Sequence, residues 1–481
     1  MRSLRIGGRV RRLRQEKRLS QTQMAGELGI SPSYLNLIES NQRPVTAGVL
    51  LKLAEKFQID LASLSGEEDG RLGTDLMEAL SDPMFESADV KASDVKDLTA
   101  TLPALGQAFL TLYNAYRRGQ AGDAAFGDAD GESASATIPS EEVSDFIQRH
   151  FNHFPVLEEA AESLWVDHGL ALFTLQQDLV KVLAERFAVD VEIAPTEAMR
   201  GMLRAYNPLT RRLQLSELLT SPGRTFQLAH QIAYLGFRRE MEGLVSGGKF
   251  STPDADALAA SALANYFAAA VMAPYARFLE AAKSSRYDTT ILKHRFGLSF
   301  EQVCHRLTTL RRPGAEGVPF HLIRVDIAGN ISKRFSSSGI HIARFGAACP
   351  RWNVYDAFAT PGMLRVQVSR MPEGQTFDGA SFFCIARTLT PGGRQVMRGG
   401  LPARAGMLAI GLGCPLSQAR ELVYADGLHL DDPTIITPIG VSCRTCPRSD
   451  CSDRAMPALA QRLVIDENRR GLSTYSVASE R

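Results

Sequence analysis

The chain contains 481 residues, a length that corresponds to about three domains. Hydrophobic residues make up 44% of it and charged residues 22%, as in ordinary soluble globular proteins, and the net charge of +1 alone says nothing about nucleic acid. No apolar run approaches the roughly 20 residues that cross a bilayer, and the arginine-rich N-terminus lacks the apolar segment of a secretory signal. The composition therefore predicts a cytoplasmic protein without a membrane segment.

Positive charge is concentrated at the N-terminus, ahead of a run of short predicted helices. Residues 1–20 carry eight basic side chains against a single acid, Glu16. We expect a first helix from Ile6 to about Glu16. Beside a DNA-binding motif, such a basic cluster is an electrostatic footprint for phosphates.

Residues 20–39 have the signals of two short helices joined by a tight turn. Ser20 is an N-cap for a helix over 21–28, Gly29 ends that helix, and Ser31 caps the next one. Two helices joined by a short turn that contains glycine form a helix-turn-helix, whose second helix can lie in a DNA major groove. The residues that can share one core are Met24, Ala25, Leu28, Ile30, Leu35 and Ile38, which leaves Ser33, Tyr34 and Asn36 pointing outward.

The segment RLSQTQMAGELGISPSYLNLIESNQRPV resembles the DNA-binding domains of the Xre/Cro class of phage and bacterial repressors. The resemblance implies a helical bundle over residues 1–65 that binds a double-stranded DNA operator. It implies that Gln21 contacts a phosphate and that Arg43 lies near the sugar-phosphate backbone. The residues that it assigns to the reading helix are Ser31, Ser33, Tyr34 and Asn36, with Pro32 where some relatives carry a base-reading glutamine.

Residues 66–118 form a predicted helical linker. Its first part, over 65–73, is rich in Gly, Glu and Asp and is predicted to be a connector, so the helices themselves are expected from residue 74 onward. A stripe of Leu105, Phe109, Leu112 and Tyr116 has helical spacing, and it predicts either a dimer contact or packing on the neighbouring domain. Residues 119–140 are rich in Ala, Gly, Ser and Asp, with little apolar material to bury. We expect a flexible acidic linker there.

Residues 141–319 are mostly helical in pattern, with strands over 189–195 and 210–217 that can pair. The helix LAHQIAYL is similar to the zinc-protease signature His-Glu-x-x-His, in which two His at i and i+4 bind zinc and the Glu is the general base. Here the three positions are His230, Gln231 and Tyr234. Glutamine cannot act as a base, and tyrosine is a poor substitute for an imidazole ligand.

The order of RTFQLAHQIAYL, ANYFAAAVMAP and RFGLSFEQVCHRL resembles the zincin-like ImmA/IrrE domain. Where that family supplies an acidic third ligand, this chain has Ser261 and Leu263. The resemblance therefore implies a retained fold without protease chemistry, and the protein is expected not to be an enzyme. The rival reading is a metalloprotease fused to a DNA-binding head.

Residues 320–481 change character and read as an α+β domain on an antiparallel sheet, with strands flanking Gly329-Asn330 and over 363–371, 381–389 and 405–413. Cys443, Cys446 and Cys451 are packed into nine residues, which in a reducing compartment points to metal binding rather than disulfides. The fourth ligand is either Cys349 or Cys414, both in loop-like settings beside proline. Spacing alone leaves zinc and a [4Fe–4S] cluster open.

The C-terminal motifs CPRWNVYDAF, GLGC, VYADGL, DDP, TPIG and CRTC…C, taken with the two preceding domains, resemble the short-chain fatty acyl-CoA regulator family. The resemblance covers nearly the whole chain. It implies a transcription regulator of acetate, propionate or related pathways, with an acyl-CoA or CoA effector in the C-terminal half. Because some relatives hold an iron–sulfur cluster, it favours [4Fe–4S] over zinc.

Four residues combine cations and aromatic rings that can meet the phosphates and adenine of CoA. They are Arg344, Arg351, Trp352 and Tyr355. The alternative places both aromatic rings in the core and both arginines on the surface.

Together the motifs predict a multidomain, mainly α protein with α+β parts. Its parts are an Xre-type helical bundle, a helical linker, a degenerate zincin-like domain and an α+β sensor domain. We expect a homodimer, because single motifs of this class usually bind paired half-sites. A redox sensor that uses the cysteines as its input is the second interpretation of function.

Overall fold

The structure is a computed structural model that describes residues 10, 14, 19–39, 43, 45, 47–57, 67–80, 82–85, 90, 92–123, 139–344, 348–372, 380–389, 397–398, 401–402, 407–458, 472–473 and 475. Of the predicted first helix, Val10 and Arg14 belong to this part, and both are helical. The other residues of that helix lie outside the described residues.

The head contains helices α1 (Gln21–Leu28), α2 (Pro32–Glu39) and α3 (Ala47–Phe57). The predicted N-cap is confirmed, because Ser20 and Gln23 form a reciprocal capping box at the start of α1. Gly29 ends α1 with φ of 65°, a left-handed conformation that glycine adopts without a Cβ clash. The buried core contains all the residues predicted for it, with Ile30 half-buried at its edge.

Three helices follow the head: α4 (Glu67–Ala79), α5 (Ala92–Thr101) and α6 (Pro103–Asp123). The connector predicted over 65–73 is wrong from Glu67 onward, because the chain is already helical there. These helices pack around a small apolar cluster of their own: Leu76, Ala79, Val95, Leu110 and Tyr113. The flexible linker predicted over 119–140 is wrong at both ends, because α6 continues to Asp123 and the next helix begins at Pro139, while residues 124–138 lie outside the described residues.

The middle domain is built mainly of helices around a three-stranded sheet. The helices are α7 (Pro139–Arg149), α8 (Pro155–Asp167), α9 (Leu175–Phe187), α10 (Thr196–Met199), α11 (Ser221–Gly236), α12 (Arg238–Gly248), α13 (Pro253–Met272), α14 (Tyr275–Ser284), α15 (Thr289–Phe296) and α16 (Phe300–Thr308). The strands are β1 (Asp190–Ala194), β2 (Arg204–Asn207) and β3 (Arg212–Ser216), in the order β1-β3-β2. The predicted pairing of β1 with β3 is confirmed, and the two strands are parallel. The strand β2 was not predicted, and it pairs with the other side of β3.

The expectation that no apolar run approaches bilayer length is wrong for one helix. Within the described residues, α13 alone is long and apolar enough to cross a membrane by length and composition. More than half of its apolar window is buried inside the protein. It packs against α8 and α11, so it is the central helix of the middle domain.

A buried ion pair links two helices in the interior of the middle domain. Arg306 on α16 donates to both carboxylate oxygens of Glu158 on α8, at 2.6 and 2.9 Å, and both side chains are 1% exposed. Tyr266 on α13 donates to the same carboxylate at 2.6 Å. Burial acts to raise the pKa of Glu158, but the Arg306 charge and these hydrogen bonds outweigh it and lower that pKa.

The C-terminal domain contains a six-stranded sheet in the order β11-β6-β7-β10-β4-β5. Its strands are β4 (His321–Asp326), β5 (Ile331–Ser336), β6 (Arg365–Arg370), β7 (Ser381–Leu389), β10 (Leu408–Pro415) and β11 (Ile436–Pro438), with a separate ribbon of β8 (Met397–Arg398) and β9 (Leu401–Pro402). The sheet is not purely antiparallel as predicted, because β11 pairs with β6 in parallel. The short helix α17 (Asn353–Asp356) covers one face.

Side chains alternate between two cores on the two faces of this sheet. Phe383 and Ile385 of β7 belong to the large core shared with the middle domain, whereas Phe382 and Cys384 belong to the smaller core under Trp352. The two faces therefore separate the cysteines of this domain into different environments.

Candidate functional site

The N-terminal end of α2 presents a polar surface to solvent. Ser31, Ser33 and Asn36 are exposed, and the Ser31 hydroxyl accepts a hydrogen bond from the Tyr34 backbone N–H at 3.1 Å. The ring of Tyr34 is half-buried against the core, and the Arg43 guanidinium carbon lies 6.0 Å from its centroid. This end of a recognition helix is the part that contacts base edges in helix-turn-helix proteins.

Gln21 and Glu39 hold α2 against α1. The Gln21 side-chain amide donates to Asn36 Oδ1 at 3.3 Å and to Glu39 Oε2 at 2.9 Å. Arg14 binds both oxygens of Glu39, at 2.7 and 3.0 Å, and this hydrogen bonding raises the pKa of Arg14. Gln21 thus orients a residue of the reading helix, and its contact with a phosphate stays a prediction.

In the middle domain, an arginine side chain contacts the histidine that corresponds to a zinc ligand of the protease signature. The Arg204 guanidinium on β2 donates to Nδ1 of His230 on α11. Burial, and then the Arg204 charge, lower the pKa of His230 to about 3, so the imidazole is neutral at physiological pH. The ring of Tyr234 stands 5.2 Å from the His230 ring, where a second imidazole ligand would be needed.

The other catalytic positions of a zincin are apolar or amide-bearing here. Gln231 is buried on α11, and Leu263 is a core residue of α13 that is 2% exposed. Neither side chain supplies a base or an anionic ligand. The sequence alone shows that these two positions lack a base and an acid. It does not show that Arg204, which precedes His230 by 26 residues, lies beside that histidine.

Four cysteines converge at the end of the C-terminal domain. Cys349, Cys443, Cys446 and Cys451 line one small cavity, together with three arginines at positions 351, 448 and 454. All four are free thiols. The structure therefore brings the predicted cluster of three together with one of the two alternatives for the fourth position.

Cys414 is not part of this group, and its prediction as a ligand is corrected. It lies on β10 and is fully buried in the large core shared with the middle domain. Cys349 belongs to the core on the other face of the sheet. The alternation of side chains along β10 thus points Cys414 away from the other thiols.

Backbone N–H groups contact the sulfurs of this cluster, although burial favours the neutral thiol at Cys349. Burial, opposed by N–H groups of Arg351 and Gly440 and reinforced by Cys443 and Cys446, raises the pKa of Cys349 to about 11. The Ala455 N–H donates to Cys443 Sγ at 3.4 Å. Four soft sulfur donors with backbone N–H donors match the demands of a tetrahedral zinc ion or of a [4Fe–4S] cluster. The type of donor therefore fits either group.

The four residues predicted to bind CoA do not form one pocket. Arg351 lines the cysteine cavity and pairs with Asp453 at 3.4 Å. Trp352 is 2% exposed in the core, and the half-buried Tyr355 accepts a hydrogen bond from the Ala348 N–H at 3.2 Å. The aromatic rings are packing residues, so the predicted site is corrected.

Arg344, the fourth of these residues, already forms ion pairs with three carboxylates. Its guanidinium contacts Asp145, Glu141 at 3.3 Å and Asp75 at 3.4 Å, and its backbone N–H donates to Glu78 at 2.9 Å. Although burial acts to lower it, these charges raise the pKa of Arg344. This ion cluster joins the C-terminal domain to α4 of the linker and α7 of the middle domain.

Comparison with known proteins identifies the family. Sequence profiles match a helix-turn-helix at residues 10–64, an IrrE N-terminal-like domain at 184–308, and the short-chain fatty acyl coenzyme A regulator C-terminal domain at 309–475. The HTH-type transcriptional regulator RamB of Mycobacterium tuberculosis is 39% identical over 483 residues, 98% of each chain. The chain belongs to the short-chain fatty acyl-CoA regulator family.

Other members of the short-chain fatty acyl-CoA regulator family match over the same length. The propionyl-CoA carboxylase regulator of Cereibacter sphaeroides is 40% identical over 476 residues, 98% of each chain. PrpR of Mycobacterium tuberculosis is 38% identical and covers 98% of this chain and 95% of its own. A solved Mycobacterium tuberculosis transcriptional regulator shares the fold with a TM-score of 0.65 and 40% identity, covering 70% of this chain and 100% of that one.

Proposed function

We propose that the protein is a sequence-specific, DNA-binding transcription regulator of short-chain acyl-CoA metabolism that works in the cytoplasm. The observation that carries this proposal is the polar N-terminal end of α2, where Ser31, Ser33 and Asn36 face solvent on a helix-turn-helix. The pathway is inferred from the family, whose C-terminal domain is that of short-chain fatty acyl coenzyme A regulators and which includes a propionyl-CoA carboxylase regulator.

The four converging cysteines, Cys349, Cys443, Cys446 and Cys451, are proposed to hold a [4Fe–4S] cluster, with zinc as the alternative. Such a centre would tie the irregular C-terminal segment to the sheet and, if it contains iron, would respond to oxidants. Four cysteines can serve zinc or a [4Fe–4S] cluster, so elemental analysis of the anaerobically purified protein decides between them.

The proposed effector is an acyl-CoA, and Arg204 is the residue we assign to its anionic groups. No carboxylate within the described part of the chain pairs with this half-buried guanidinium, whose hydrogen bond goes to the neutral His230. A desolvated cation of this kind favours an anionic partner such as a CoA phosphate. This use of the positions that correspond to the zincin metal ligands also agrees with the expectation of a domain without protease chemistry.

A homodimer is proposed through α6. Leu105 and Leu112 are 57% and 69% exposed, and Tyr116 is exposed on the same helix. No charged residue occurs from Pro103 to Tyr116. A helix with an uncharged N-terminal part that packs on α4 and leaves apolar side chains exposed suits a second copy of the chain, which a two-fold operator requires.

Gel-shift titration tests the function. We expect the full-length protein to bind fragments upstream of acyl-CoA genes, and acetyl-, propionyl- or butyryl-CoA to change the affinity. Arg204→Gln should keep DNA binding but lose the acyl-CoA response, whereas Arg212→Gln, an exposed arginine on the neighbouring strand, should keep both. An unchanged affinity with every acyl-CoA would contradict the effector.

The second candidate function, redox sensing, follows from the cysteines. In that case air oxidation alone would change the affinity for the same fragments without any acyl-CoA. Protein purified anaerobically without iron or acid-labile sulfide would refute it.

A further inference from the structure

Arg454 is the most enclosed cation beside the four cysteines. It lies three residues after Cys451, is 5% exposed, and lines the cysteine cavity. Its guanidinium donates to the backbone carbonyl of Cys443 at 2.7 Å, to that of Cys446 at 3.1 Å, and to that of Arg448. One side chain thus fixes the backbone of the whole loop that carries two of the sulfurs.

One nitrogen of this side chain, Nε, makes no hydrogen bond. The Arg454 Nε–H is buried and has no hydrogen-bond partner, and no carboxylate pairs with the guanidinium, among the residues that the structure describes. Leaving a buried donor and a buried charge unsatisfied is costly. The thiols that share the cavity are neutral when protonated, but four thiolates around a metal or an iron–sulfur core carry net negative charge.

We propose that Arg454 is the positioning residue of the cysteine centre, and that it supplies the buried positive charge and Nε–H donor that an anionic metal–thiolate group requires. This inference rests on the proposed metal binding by the four cysteines. The three carbonyl contacts hold Cys443 and Cys446 in place before loading. The charge and the free donor then stabilise the loaded state, and they favour the more reduced form of an iron–sulfur cluster.

Two substitutions separate the effect of the carbonyl hydrogen bonds from the effect of the positive charge. Arg454→Met removes the donors and the charge, whereas Arg454→Lys keeps the charge but cannot reproduce the planar fork that reaches three carbonyls. Arg420→Met is the control, because the Arg420 side chain is 76% exposed and does not line the cavity. All proteins are purified anaerobically as the full chain.

The measurements are iron, zinc and acid-labile sulfide per chain, the rate of metal loss to a chelator, and, for iron-loaded protein, the midpoint potential. We expect chelator-driven loss to be about 10- to 100-fold faster in Arg454→Met, as for other residues that support metal ligands. The potential should move to more negative values in Arg454→Met and stay near that of the wild type in Arg454→Lys. Arg420→Met should match the wild type in every measurement.

Each outcome bears on a separate claim. A wild-type protein without iron or zinc overturns the proposed cysteine centre, and the inference with it. A metal-loaded wild type with unchanged loss rate and potential in Arg454→Met overturns the inference alone. If Arg454→Met does not fold, as judged by its thermal unfolding and DNA affinity, Arg454→Lys decides: wild-type metal retention in that variant refutes positioning by the fork.

Discussion

Arg344→Gln is expected to release α4 of the linker from the C-terminal domain. In the native protein the Arg344 side chain is 12% exposed and contacts Asp75, Glu141 and Asp145. Glutamine is shorter than arginine and neutral, so it cannot replace Arg344 as the ion-pair partner of these carboxylates, although Arg334 and His341 stay beside Glu141 and Asp75. The repulsion among them would act directly on α4, because two of the four belong to that helix.

The magnitude follows from the burial of the cluster. Removing one partner of a fully buried ion pair costs 3–5 kcal/mol, and we take about 3 kcal/mol because Arg344 keeps some contact with water. At about 1.4 kcal/mol per tenfold, the free energy of opening should fall enough to raise the open population of α4 by roughly two orders of magnitude. Native-state hydrogen exchange of the α4 amides reads this population directly.

The control is Arg420→Gln. Arg420 pairs with Asp431 at 3.2 Å, but their side chains are 76% and 93% exposed, and such surface pairs contribute about 0–1 kcal/mol. Exchange in α4 should be unaffected by that change. If Arg344→Gln also leaves α4 exchange within about threefold of the wild type, the ion cluster does not hold the linker, and the reasoning from burial is refuted.

Four further predictions concern the other sites. Asn36→Ala should cost about 1–3 kcal/mol of binding on the operator and little on unrelated DNA, measured by parallel gel shifts. Glu158→Gln should lower the free energy of unfolding by about 3–5 kcal/mol in urea titrations at neutral pH. Because the pKa of Glu158 is lowered in the fold, that stabilisation is complete above its ordinary value of 4.5 and is lost as the pH falls, so the two proteins should converge in acid. Cys349→Ser should lose metal that Cys414→Ser retains, by elemental analysis. Since the pKa of Cys349 is about 11, metal loading must displace its proton, and the apparent affinity should fall about tenfold per pH unit for each such thiol as the pH decreases.

The DNA-binding head was predictable because its signals are local. Ser20, Gly29 and Ser31 act on their own helix ends, and the apolar spacing of 24–38 suffices to define one buried face. The same holds for β7 and β10 of the C-terminal domain, which are largely apolar and buried runs. The start of α4 was missed because Gly, Glu and Asp in sequence resemble a connector, and packing on α5 and α6 overrides that composition.

The cysteine centre was only half predictable from the sequence. Spacing identified Cys443, Cys446 and Cys451, but the choice between Cys349 and Cys414 depends on which face of a sheet each side chain takes. A proline follows both residues, so local sequence does not distinguish them. Arg204 and Arg344 illustrate the same limit, since their partners lie 26 or more residues away in the chain.

The corrected position of Arg344 connects two sites that the sequence presented as separate. Arg344 and Cys349 are five residues apart, and Ala343 and Ala348 beside them are both buried in the smaller core of the C-terminal domain. The Cys349 carbonyl also accepts the Trp352 backbone N–H at 3.1 Å, which ties the cysteine to that core. Close-packed interiors transmit displacement rather than absorb it. A change in the cysteine centre would therefore bear on the ion cluster that holds α4, and α4 belongs to the linker that leads to the DNA-binding head.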